Sequence, residues 1–212
     1  MTLYLADAPA VEYWRRADPS AKTRARAATP FGQDRETPPF SASDLAALEE
    51  AGVGWLSEPI HLLAPDASSR RRCKRTKLHV CSHRLPERSF VKLSSRVMVA
   101  SPELTCLSIA PSTPFPLLVE FLYELCGRYR LPDGRGGDAV ELPPATTVAG
   151  IERFADKARG VRGAADVKRA LRYACDNSLS PMETDIAETM VFDPRMGGLG
   201  LEKPQLNPRF EV

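Results

Sequence analysis

The spacing of apolar residues changes period along this chain, and that change constrains the fold more than any other feature. Between residues 54 and 100 the pattern alternates. Ile60 and Leu62 come first; then Leu78, Val80 and Ser82 fall on one face, with His79, Cys81 and His83 on the other; residues 90–93 and 96–100 follow around Ser94-Ser95. Period two marks strands with one face turned to a core, and short strands in succession predict a small sheet, mixed or antiparallel. At Ser101-Pro102-Glu103 the spacing becomes helical. A serine here accepts from a free first-turn amide, and proline suits the first helical position. Leu104, Leu107 and Ile109 follow, and then Leu117, Leu118, Phe121, Leu122 and Leu125 form a broad apolar stripe expected to pack on the sheet. Strands grouped before helices define an α+β protein.

The flanks fit this plan. Residues 3–6 read as a short strand, and Pro9 opens a helix carrying Val11, Tyr13 and Trp14. Residues 18–40, with Pro19, Pro30, Pro38 and Pro39 and no period, read as a long loop. Ser41 to Asp44 caps a helix with Leu45 and Leu48 that ends at Gly52. Residues 131–144 are rich in glycine and proline and make the best boundary, dividing a sheet-and-helix domain over 1–131 from a helical segment over 145–212. In that segment a helix over 148–158, a turn at Gly160-Val161-Arg162-Gly163 and a helix carrying Val167, Ala170, Leu171, Ala174 and Cys175 precede Ser180-Pro181-Met182-Glu183. The last four residues read as a capping box, in which Ser180 accepts from the amide three residues on and Glu183 reaches back to the cap amide.

With 43% hydrophobic and 26% charged residues, the chain buries a core and is not of disordered composition. Its longest apolar run, residues 115–126, is broken by Glu120 and Glu124, so no membrane contact is expected. The first residues show no secretory signal, and the five cysteines are odd in number, three of them on apolar faces. A cytoplasmic protein is expected. A net charge of +2 is too small for a general nucleic-acid coat, so such a partner must meet a local cluster. Arg70, Arg71, Arg72, Lys74, Arg75 and Lys77 form one between two predicted strands. On a hairpin loop they would neutralise phosphates with salt-sensitive, sequence-indifferent binding. No aromatic residue interleaves them, so a stacking platform is absent, and the plainer reading is a solvated loop.

Cys73, His79, Cys81 and His83 have the chemistry of zinc ligands, but same-face neighbours on one strand point in parallel and at most two converge easily. A half-buried sheet face is expected there, with no metal site and no cofactor. The helical pair over 148–175 carries Arg153, Lys157, Arg159, Arg162, Lys168, Arg169 and Arg172 and reads first as a packing hairpin, second as a groove-reading unit. The glycine clusters lack the Lys-Ser/Thr ending of a phosphate loop, and no G-x-S-x-G occurs.

His83-Arg84-Leu85-Pro86 and residues 97–110 resemble the H-R-x-L-P and V-T-S-P-x-R-T-L-L-D-L-A stretches of bacterial AbiEi-type abortive-infection antitoxins. Glu103-Leu104 stands where that pattern has a basic residue, and Ser108 where it has an aspartate. Residues 169–174, Ser180-Pro181-Met182-Glu183 and Pro204-Gln205-Leu206 resemble the lead-in to a Vsr-like nuclease core of PD-(D/E)xK type. Residues 10–15, 59–63 and 123–127 are also similar to actinobacterial proteins that combine the two regions. The resemblance implies an antitoxin-like domain leading into a nuclease-associated segment. It would give Glu183 a helix-borne catalytic place, but the Asp and E-x-K strands of that fold follow the matched region and are not in this sequence. Metal-dependent cleavage needs several carboxylates converging on a cation. Glu183 is therefore a vestigial candidate, and no catalysis is expected. The expected function is a non-catalytic, nucleic-acid-associated module of antitoxin-like, defence-related type. The alternative is a protein-interaction module that meets a protein partner through its sheet and the helix carrying Leu117 and Leu125.

Overall fold

In the computed structural model, which describes residues 2–18, 31, 40–65, 74–134 and 136–208, a three-residue strand holds the centre of the sheet. β1 (Leu3–Leu5) lies between β2 (Ile60–Ala64) and β5 (Val97–Ala100), with β3 (Thr76–Val80) and β4 (Phe90–Lys92) at the edges. The sheet is mixed. β1 runs parallel to β5 and β2 to β3, while β1–β2 and β4–β5 are antiparallel. The connection between β2 and β3 is therefore not the hairpin loop expected for the basic run. Alternation of burial, as in β2 where Ile60, Leu62 and Ala64 are inside, reports which face is covered and is blind to strand direction.

Helix α1 (Ala8–Arg16) has Pro9 in its first turn and Arg15 and Arg16 in its last, where the helix dipole favours cations. It buries Tyr13 and Trp14, and the Trp14 indole donates to the Ala100 carbonyl at 2.8 Å. In α2 (Ala42–Glu50) Ser41 and Asp44 cap each other, and the buried Asp44 carboxylate pairs with Arg96 at 2.6 Å.

Behind the sheet, α3 (Pro102–Ile109) is buried on nearly every side, packed against β5, α1, α4 (Phe115–Cys126), α5 (Val148–Lys157) and α6 (Ala164–Ala170). Most of its polar groups are bonded within the helix and its cap, and Glu103 reaches a partner outside it. Ser101 Oγ accepts from Leu104 N, Thr105 Oγ1 donates to the Ser101 carbonyl at 2.8 Å, and Glu103 accepts from the Thr146 hydroxyl at 2.8 Å. The α4 stripe, expected to lie on the sheet, has α3, α6, the strand β6 (Tyr129–Arg130) and α7 (Pro181–Val191) as its main neighbours. Leu117 is exposed rather than in the stripe, while Val119 and Tyr123 are buried.

Residues 131–144 do not separate two cores. β6 pairs antiparallel with β7 (Val140–Glu141) across them, and Ile151, Val167 and Leu171 belong to the same hydrophobic core as Leu5 and Val97. Close approach fixes one glycine: a Cβ on Gly163, at φ +89°, would lie 2.0 Å from the Leu107 carbonyl oxygen, where α6 begins against the end of α3.

Arg130 closes the end of α4. Its fully buried guanidinium donates to the carbonyls of Glu124, Gly127 (3.3 Å), Leu125 (3.4 Å), Tyr129 (2.6 Å) and Pro143 (3.0 Å). The last carbonyls of a helix have no partner within it, and a buried cation there also matches the helix dipole. Replacing Arg130 with Met keeps most of the volume and strips these carbonyls of their donors. Urea unfolding of Arg130→Met should show a loss of roughly 3–5 kcal/mol; a loss below about 1 kcal/mol would mean that the cap is dispensable.

Candidate functional site

Asp7 makes the turn between β1 and α1 at φ 59° and ψ −133°, a backbone region natural to glycine and costly for other residues, by about 1–3 kcal/mol. It is held there from two sides. Its amide donates to Ser108 Oγ at 3.2 Å, and its carbonyl accepts from the amides of Ala10 and Val11 at 3.0 and 3.1 Å. Ser108 thus braces the turn from the buried helix α3.

The Asp7 carboxylate faces two histidines. Oδ1 lies 3.6 Å from His61 Nδ1, Oδ2 lies 3.5 Å from His79 Nε2, and the two ring nitrogens are 3.1 Å apart. Strand register explains the meeting. His79 of β3 sits opposite Leu63 of β2, so it is a diagonal neighbour of His61 on one sheet face. Burial lowers both histidines below the ordinary 6.5, Asp7 opposes this, and the charge of Lys77 adds to the lowering at each, as that of Arg162 does at His79. Near neutral pH both rings are uncharged and offer lone pairs. Two imidazoles and a carboxylate are groups that can hold a divalent metal.

Sequence reasoning weighed His79 with Cys73, Cys81 and His83, which is not the grouping found. His79 converges with His61 and Asp7, Cys81 Sγ lies 3.8 Å from the His83 carbonyl oxygen, and Cys73 lies outside the described residues. The signal available was the placing of both histidines at alternating positions of strands. Nothing local linked them to an aspartate that reads as a helix cap.

On its other side Asp7 borders a cleft of about 760 Å³. Its lining carries Glu12, Glu120, Glu124 and Asp185 against one cation, Arg15, which is paired with Glu124, so the cleft is acidic and a poor seat for phosphate.

The basic run divides. Arg70, Arg71 and Arg72 lie outside the described residues. Lys74 is exposed, Arg75 is tied to Glu58 with Nε at 2.8 Å from the carboxylate, and Lys77 is exposed on the edge strand opposite His61. Next to them comes a segment that the sequence kept apart. A Cβ on Gly160 would lie 3.3 Å from the His83 ring, so the α5–α6 turn, with exposed Arg159 and Arg162, abuts the chain leaving β3.

Glu183 has a structural role. Ser180 Oγ accepts from the Glu183 amide as expected, but the carboxylate accepts from the Leu179 amide at 2.6 Å, one residue before the cap, and from the Asn207 side-chain amide at 2.9 Å. It ties the C-terminal segment to the start of α7. Among the described residues no helix is long and apolar enough to cross a membrane. No family model, curated protein or solved structure matches the chain.

The histidine shifts set a pH dependence in metal-free protein. With folded-state pKa values below 6.5, the unfolded chain binds more protons in the window beneath that value. Their contribution is complete above pH 6.5 and is lost as the pH falls through that window toward the folded values. Melting points measured from about pH 8 down to about pH 5 should drop in that window, and the His61→Gln/His79→Gln double variant should drop less. An equal drop in the variant would assign the effect to other groups.

Proposed function

We propose that the protein is a nucleic-acid-associated module of antitoxin-like, defence-related type that contacts the phosphate backbone through the β3 edge and the adjoining α5–α6 turn. The observation that carries this reading is that two exposed cations from distant segments, Lys77 and Arg162, both lie close enough to His79 for their charges to act on it. Lys74, Arg159 and the cations at 70–72 extend the same chemistry along the chain. Such a surface binds by displacing counterions from phosphate, so affinity falls steeply with salt and little with sequence.

A second reading, contact with a protein partner, has its support elsewhere than expected. The apolar face of α4 is covered by the core, whereas Met182 and Ile186 of α7 are 73% and 58% exposed. Salt separates the two readings, since an apolar contact is nearly indifferent to it.

Lys77 also has a plainer task, as charges on an edge strand discourage pairing with another chain. Charge reversal keeps that protection and removes the phosphate contact. Binding to duplex and single-stranded oligonucleotides, titrated across salt, should weaken in Lys77→Glu/Arg162→Glu, and the slope of log affinity against log salt should fall by about 2. No binding by the unaltered protein at low salt, or an unchanged slope in the variant, would reject the reading.

A further inference from the structure

We propose that Asp7, His61 and His79 bind one divalent first-row transition ion, zinc in the first instance, with a coordination position left open to water.

Ligands about 2.0–2.1 Å from a tetrahedral zinc lie about 3.3 Å from one another. The ring nitrogens here are 3.1 Å apart, and each lies 3.5 or 3.6 Å from the nearer oxygen of the Asp7 carboxylate, His79 from Oδ2 and His61 from Oδ1. The two contacts with the carboxylate are longer than a good hydrogen bond and run to its two different oxygens, so the three side chains converge without being locked together by short hydrogen bonds. One ligand atom from each residue lies within 4.8 Å of the other two, close enough for small side-chain adjustments to bring all three onto one cation.

The ligands are held in place before any ion arrives. His61 and His79 sit on paired strands whose register fixes their offset. Asp7 is kept in a strained backbone region by Ser108 on one side and by the first turn of α1 on the other. Strain at a single non-glycine residue is a cost that folds keep mostly where the side chain's aim matters.

The donor set selects the ion. Two imidazoles disfavour magnesium and calcium, which take oxygen ligands, and the absence of thiolate disfavours iron–sulfur chemistry. Two histidines and one carboxylate suit zinc and also ferrous iron. The side chains keep 14%, 30% and 16% exposure, which leaves a path for water to a fourth position. Closed structural zinc sites use four protein ligands; with three among the described residues, the site is of the open kind. The proposal is independent of nucleic-acid binding.

The test uses the full chain, stripped with chelator and then given zinc or cobalt(II) ions alone. Elemental analysis after desalting should return one zinc per chain, and cobalt should give the visible absorption of a low-coordinate site. Zinc should raise the melting temperature by several degrees. His61→Gln and His79→Gln should each weaken zinc binding by roughly 100-fold or more, beyond the 10–100-fold typical of losing an outer-shell partner. Cys81→Ser should bind as the parent does. Circular dichroism of the metal-free variants checks that they fold, and Asp7→Asn, which keeps the size of the side chain, supplies a third ligand variant should a histidine variant not fold. Substoichiometric zinc with no thermal shift in the parent would overturn the proposal and leave a histidine–histidine hydrogen bond. Retention of parental affinity in any folded ligand variant would overturn it as well.

Discussion

The burial of α3 on nearly all sides is the constraint on which the other elements depend. Eight residues between the sheet and the outer helices bring Leu104, Cys106 and Leu107 almost wholly out of water, and each large apolar side chain so buried contributes about 1.5–3 kcal/mol. The same burial makes every polar group on the helix expensive to leave alone, at about 1–3 kcal/mol each. Ser101, Thr105 and Ser108 bond within the helix and its cap, and Thr146 meets Glu103. Gly163 lets α6 reach the carbonyl of Leu107. Three of the outer helices, α4, α5 and α6, cover α3, which is why the C-terminal segment shares one core with the sheet.

That arrangement also places the chemistry. β1 and β5 are parallel neighbours, so the helices that follow them, α1 and α3, start from the same end of the sheet. Ser108 on α3 can then brace Asp7 at the head of α1, and Asp7 is turned toward His61 and His79. The charged surroundings divide in two. Acidic residues gather along the cleft that Asp7 lines, and cations gather at the β3 edge and the α5–α6 turn. The paired histidines lie where these two regions meet.

Local signals were legible in the sequence wherever a few neighbouring residues decide the outcome. The strand around Ile60 and Leu62, the Ser101-Pro102 helix start and the Ser180 cap all follow from period or capping chemistry and are found in place, whereas the alternation read over residues 78–83 outruns its strand, which ends at Val80. The partner of Glu183 was misplaced by one residue, since the Leu179 amide competes with the cap amide for the carboxylate. Strand direction, the position of α4 relative to the sheet and the role of Arg130 were not legible. Each depends on which distant segment lies alongside. Arg130 reads in sequence as one more arginine beside a loop, and only the returning chain at Pro143 and the end of α4 make it a buried cap.

By itself the sequence determined the α+β class, the order of the elements and the presence of a basic segment, because periodicity, caps and charge runs are written within a turn or a strand. The tertiary structure decided the cluster of Asp7, His61 and His79 and the approach of Lys77 and Arg162 to His79. Those residues come from separate elements, and their spacing is set by strand register and by the packing of helices on α3, which no local pattern encodes.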